Sequence, residues 1–170
     1  LLESIEGSKN LSRYSFTGVG WAEKAVLEKG MFRHLRQGQD EDIGGKKTDR
    51  PLEEIHSIMK SYRLYRDPEL DHFIGGAVGY LGYDLVRYFD DISLPGRKTD
   101  IPEMLLYFTD LVVVFDHLMN RLKVISTIKT GDGITPVEAY RLSTKKIEAL
   151  EKKIAGNAVP SLSVSLRQQA

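Results

Sequence analysis

Glu3 and Ser4 stand side by side near the start of the chain, and Arg13 follows Ser4 by nine residues. A carboxylate accepts hydrogen bonds from an ammonium group, a hydroxyl both donates and accepts, and a guanidinium grips a carboxylate with two parallel N–H groups. Leu1 and Leu2 add apolar surface beside them. A free amino acid presents the complement of that set. Its receptor needs an acceptor, a donor and a shaped apolar wall within one small space. On residue type alone, Glu, Ser and Arg at the start of a strand are more ordinarily surface groups and caps.

Other chemistry-bearing residues are less well grouped. Gly75, Gly76, Gly79 and Gly82 invite comparison with phosphate-cradling loops, but their spacing is not the dinucleotide fingerprint and no Lys followed by Ser or Thr accompanies them. They read instead as places where a strand and a neighbouring helix approach closely or the chain turns sharply, with Tyr80 and Tyr83 packed beside them. His34, His56, His72 and His117 are scattered and lack metal-ligand spacing. Asp116 and His117 are adjacent, so in a strand their side chains diverge, and a turn role is expected rather than an acid and base pair. No catalytic residue and no metal site are assigned. Trp21 and the helical stripe described below are read as core.

The elements that must position these residues follow from pattern. Leu11 to Val19 reads as a strand, and Ala25 to Leu35, interrupted by Glu28, Lys29 and Gly30, as two short strands joined by a hairpin turn. Gly38 to Arg50 is polar and reads as a loop. Pro51 suits a first helical turn, and Leu52, Ile55, Met59 and Tyr62 follow at spacings of three, four and three on one face. Leu81 to Phe89 reads as a short helix. Met104 to Phe115 is too continuously apolar for a half-exposed strand and is expected at the centre of a sheet. Leu122 to Ile128 is expected to return antiparallel to it. The last helix has Thr135 as cap, Pro136 at the first helical position and Glu138 completing a capping box, with Tyr140, Ile147, Leu150 and Ile154 as its buried stripe and Gly156 at its end. Hairpins with helices falling after separate strand groups predict an α+β domain of antiparallel sheets with flanking helices.

Bulk properties narrow the classes. A chain of 170 residues with 41% hydrophobic composition suits one domain, here residues 1–156, with the small and polar stretch 157–170 read as a linker. The 24 basic and 24 acidic side chains cancel, which leaves no field to steer the protein to nucleic acid or anionic membrane. No run approaches the roughly 20 apolar residues of a membrane span. The absence of cysteine fits a reducing cytoplasm.

Three segments carry a family resemblance. Leu1, Leu2, Glu3 and Ser4, with Arg13, Tyr14, Ser15, Phe16, Thr17 and Gly18 beyond them, resemble the "LLES … GRYSFIG" signature of anthranilate synthase component I. The run Phe73 to Asp84 is similar to that family's "F-x-GG-x-x-GY-x-x-YD" segment. Ile101, Pro102, Glu103 and Met104, followed by the β-prone run ending in Phe115, Asp116 and His117, resemble its proline-containing approach to a strand with a "DH" turn. Ser12 stands where the family usually has glycine, and Thr17 where it often has isoleucine.

The resemblance implies a regulatory and scaffolding N-terminal domain, without activity of its own, of an enzyme that converts chorismate and ammonia to anthranilate and pyruvate. It implies L-tryptophan as feedback inhibitor, with Glu3 and Ser4 lining the ligand, Arg13 holding its carboxylate or positioning Glu3, and Leu2, Gly75, Gly76 and Tyr80 shaping the pocket or facing a neighbouring domain. No cofactor is expected in residues 1–170. Magnesium, held by glutamates, and the catalytic histidine belong to a chorismate-binding domain expected after residue 170, and ammonia to a glutamine amidotransferase partner, component II. Component I of aminodeoxychorismate synthase is the nearest alternative. A stand-alone amino-acid or nucleotide-binding module without catalysis is the alternative from another class.

Overall fold

The computed structural model describes residues 2–3, 13–38, 45–63, 75–92, 100–130 and 133–156, the first two as backbone. In chain order these form strands β1 (Leu2–Glu3), β2 (Tyr14–Gly18), β3 (Glu23–Glu28), β4 (Met31–Arg36) and β5 (Lys46–Lys47), helix α1 (Pro51–Lys60), strand β6 (Gly76–Leu81) and a 3-10 helix (Tyr83–Tyr88). Strands β7 (Met104–Thr109), β8 (Leu111–Asp116) and β9 (Arg121–Ser126) and helix α2 (Pro136–Gly156) complete them. Two antiparallel sheets result, one ordered β1-β2-β8-β9 and the other β5-β4-β3-β7-β6. The fold is α+β, as expected.

Two stretches of chain run through both sheets. The apolar run from Met104, expected as one central strand, is two strands that part at Asp110. Its first half lies between β3 and β6 and its second between β2 and β9. The segment between β2 and β3 makes the same passage beside it, where Val19 N–H donates to Leu111 O at 2.9 Å and Ala22 N–H to Phe108 O at 2.8 Å. Burial on both faces accounts for the apolar run: Val112 and Val114 form one core with Ile125, Tyr14 and Phe16, while Val113 is buried on the other side. The second core gathers Ala25, Leu27, Phe32, Leu85, Met104 and Phe108, covered by Ile55, Ile58 and Tyr62.

The β3–β4 hairpin forms where expected. Lys29 and Gly30 both take positive φ, at 51° and 74°, the two-residue turn whose twist matches its strands. Within the stretch read as a loop, Lys46 and Lys47 pair with Phe32 and Met31. The inward face of α1 is rotated from the expected stripe. Pro51, Ile55, Ile58 and Tyr62 turn to the sheet, whereas Leu52 and Met59 stay exposed because the buried Pro51 sets which side of the first turn meets the core.

Helix α2 starts as its sequence dictates, with Glu138 N–H donating to the Thr135 hydroxyl at 3.3 Å. Its stripe is corrected: Tyr140 is 76% exposed and Ile154 is also exposed, while Ala139 is buried. The helix leans on the sheet through small residues, with Ser143 Oγ 3.1 Å from Ser126 Oγ, and Lys146 pairs with Asp110 at the point where the strands part. Ile147 and Leu150 of the expected stripe are half-buried. Trp21, read as core, is half-buried outside both clusters with Lys24 Nζ 5.2 Å from its ring centre. Tyr83 is exposed rather than packed beside the glycines.

Candidate ligand-binding site

The two halves of the opening motif meet across a strand pair. Leu2 lies opposite Phe16 and Glu3 opposite Ser15 in the β1–β2 register. Ser4 lies outside the described residues. Strand β2 in turn pairs with β8, Ser15 facing Phe115 and Tyr14 facing Asp116.

Arg13 faces a buried partner. Its Nε donates to Asp116 Oδ1 at 3.0 Å and its Nη2 to Asp116 Oδ2 at 2.7 Å, a two-pronged pair, and its guanidinium carbon lies 4.8 Å from the Tyr14 ring centre. Asp116 Oδ1 also accepts the backbone N–H groups of Leu118 and Met119, at 3.2 and 3.1 Å. The Arg13 hydrogen bonds, aided by those turn amides, hold the Asp116 carboxyl far below its usual range against the opposing effect of burial. Beside it, Ser15 Oγ and His117 Nε2 lie 2.7 Å apart, and His117 N–H donates to Arg13 O at 2.8 Å. Asp116 thus closes β8 and His117 opens the turn that follows, and that turn is tied back to β2.

Gly76 and Tyr80 belong to the other sheet, on its edge strand β6. Tyr80 is exposed and donates its hydroxyl to Pro102 O at 2.9 Å. Gly75 and Gly76 take φ of 155° and 135°, and a Cβ on Gly75 would sit 3.3 Å from Thr127 Oγ1. The glycines serve close approach between strands rather than between strand and helix.

A second polar cluster went unread in the sequence. Glu23, only 6% exposed, has His34 Nε2 at 2.7 Å and Arg36 Nε at 3.4 Å, the latter near enough for attraction but off the line of a hydrogen bond. Burial pushes its carboxyl up, but the hydrogen bonds from Tyr62 and His34, with the positive charge of His34 and Lys129, outweigh it and bring it below the ordinary value. Tyr62 stacks on Phe108 with centroids 5.9 Å apart and carries Lys129 Nζ at 4.6 Å from its ring centre. Burial and the bond to Glu23 push the Tyr62 phenol up. The available signal was alternation: Glu23 shares the inward period of Ala25 and Leu27, and His34 and Arg36 that of Phe32.

Tyr88 donates to Glu103 Oε2 at 2.9 Å, and burial together with that bond pushes its phenol from 10.0 up to about 12. A phenol whose folded pKa is raised stabilises the fold fully below its unfolded value, and the contribution is lost as pH climbs through the folded one. Stability is therefore expected to fall between pH of about 10 and about 12, and less steeply in Tyr88→Phe. Urea midpoints measured across that range test this; equal slopes for the two proteins would contradict it.

Among the described residues no three His, Asp or Glu side chains are gathered to hold a metal ion, and no helix is long and apolar enough to cross a membrane. Two antiparallel sheets joined by two stretches of chain that pass from one to the other, with one helix on each and a polar corner at a two-residue edge strand, define the chain as an α+β domain of mixed two-sheet type. No family model matches it. It is 32% identical over 157 residues to anthranilate synthase component 1 of Acetivibrio thermocellus, covering 91% of this chain and 30% of that protein. It is 36% identical over 131 residues to anthranilate synthase component 1 of Thermus thermophilus, covering 74% of this chain and 26% of that one. The crystal structure of anthranilate synthase component I from Streptococcus pneumoniae TIGR4 shares the fold, with a TM-score of 0.63 at 22% identity over 94% of this chain and 32% of that one. Curated relatives named anthranilate synthase component 1 thus match nearly the whole of this chain, which spans about 30% of their length.

Proposed function

We propose that this chain is the N-terminal regulatory and scaffolding domain of an anthranilate synthase component I, and that its β1–β2 corner binds L-tryptophan as a feedback inhibitor. The observation that supports this most is the register that sets Glu3 opposite Ser15, which joins the two halves of the opening motif in one place. Glu3 takes the ligand's ammonium group and the Ser4 hydroxyl a second polar contact. Arg13, paired with Asp116, orders the strand opposite Glu3. Leu2, Gly75, Gly76 and Tyr80 shape the pocket or face the neighbouring domain.

In the parent enzyme, chorismate and ammonia give anthranilate and pyruvate in a chorismate-binding domain outside this chain, with ammonia delivered by component II, in the cytoplasm. The described acidic and histidine residues do not fit a magnesium site. The metal is assigned to that other domain, and no step of the reaction is assigned here. Inhibition requires that tryptophan prefer one arrangement of this domain relative to the catalytic one, with a coupling of about 1 to 3 kcal/mol.

Ser4→Phe is expected to fill the pocket, leave the fold intact and remove inhibition in the full-length polypeptide. Anthranilate formation assayed against rising tryptophan checks it. A variant still inhibited like the parent would sink the site assignment.

A further inference from the structure

Strand β1 is two residues long and, among the described residues, stands at the edge of its sheet and pairs with β2 alone. A strand so short contributes little stability of its own and is held only as firmly as its neighbour. What holds β2 at that level therefore holds Glu3.

Three ties converge there. The Arg13 guanidinium is gripped twice by Asp116, the Arg13 carbonyl accepts from His117 N–H, and the Ser15 hydroxyl meets His117 Nε2. All three come from Asp116, the last residue of β8, and His117, the first of the turn after it. Asp116 is fixed in turn by the backbone amides of Leu118 and Met119, so the whole hairpin turn backs the clasp. Ser15 is the residue registered against Glu3, is itself buried at 3% exposed, and meets the His117 imidazole with its hydroxyl.

We propose that Asp116 and His117 are positioning residues for the amino-acid site. They lock β2 where β1 is registered against it and so set the affinity for a ligand that neither needs to touch. The proposal rests on the tryptophan site described under Proposed function, and it concerns how that site is held rather than what it binds.

His117 is exposed, so replacing it leaves both cores alone. In the full-length polypeptide, His117→Ala is expected to raise the tryptophan concentration for half-inhibition about fivefold to tenfold, the worth of one hydrogen bond, with uninhibited turnover unchanged. His117→Gln, which keeps a side-chain N–H within reach of Ser15, is expected within about twofold of the parent. Ser15→Ala and His117→Ala are expected to combine less than additively, because both remove the bond between the two side chains. Without ligand, amide exchange of the peptide containing Leu2 and Glu3 is expected to speed up in His117→Ala and not in His117→Gln.

Unchanged inhibition and exchange in His117→Ala, or a glutamine variant as impaired as the alanine one, would overturn the positioning role while leaving the tryptophan site standing. A parent enzyme indifferent to tryptophan would overturn the site, and the positioning role with it.

Discussion

Gly79→Val is expected to cost about 3 kcal/mol or more and to release β6 from the sheet. A Cβ at residue 79 would stand 1.9 Å from the carbonyl oxygen of Leu105, 2.9 Å from its carbonyl carbon and 3.0 Å from Leu106 Cα. These are backbone atoms of β7, the strand that β6 pairs with from Gly76 to Leu81. They cannot move aside without breaking β7's other ladder, to β3. The weaker edge strand gives way instead, and its loss uncovers Leu85, the 3-10 helix and the adjoining core. Gly156→Ala is the control. Nothing lies within 4 Å of its Cβ, and in a helical last turn alanine is expected to leave stability unchanged or raise it by about 0.4 to 1 kcal/mol. Urea unfolding of both variants against the parent measures the contrast. A Gly79→Val chain as stable as the parent would show that β6 does not lie against β7 in this register.

Why Gly79 matters was only half legible beforehand. Clustered glycines with tyrosines announce close approach, but the sequence does not say to what, and the partner is a strand rather than a helix. The same division runs through the molecule. Thr135, Pro136 and Glu138 act within one turn of each other, so the start of α2 could be read directly. Lys29 and Gly30 likewise set their hairpin through local backbone geometry alone. The buried face of α2 depends on what it meets, and a contact made through Ala139 and Ser143 hides the small residues while leaving Tyr140 outside. The parting of β7 and β8 at Asp110 is a tertiary event inside an unbroken β-prone run, invisible to periodicity. In the candidate site, Glu3 and Arg13 were legible through the family resemblance, whereas the Asp116 partner of Arg13 lies 103 residues away and only sheet order brings them together.

Glu23 is the second position where a single change is expected to do most damage. Glu23→Leu would strip an acceptor from Tyr62 and His34 and a nearby countercharge from Arg36, at a cost of about 2 to 3 kcal/mol. Glu23→Gln keeps one acceptor oxygen and the shape, and about 1 to 2 kcal/mol is expected. Tyr62→Phe retains the stack on Phe108 and loses only the O–H group, about 1 kcal/mol. The acid limb of the stability profile separates charge from shape. Because the Glu23 carboxyl titrates lower in the fold than in the unfolded chain, its contribution is complete above the unfolded value of 4.5 and is lost as pH falls through the folded one. The parent should therefore lose stability faster than Glu23→Gln as pH is lowered from about 5, with the gap between them closing. Urea midpoints at successive pH values read this directly. If the gap stayed constant into acid, Glu23 would be acting through packing alone, and the cluster at the end of α1 would be held by the Tyr62 stack rather than by its buried charge.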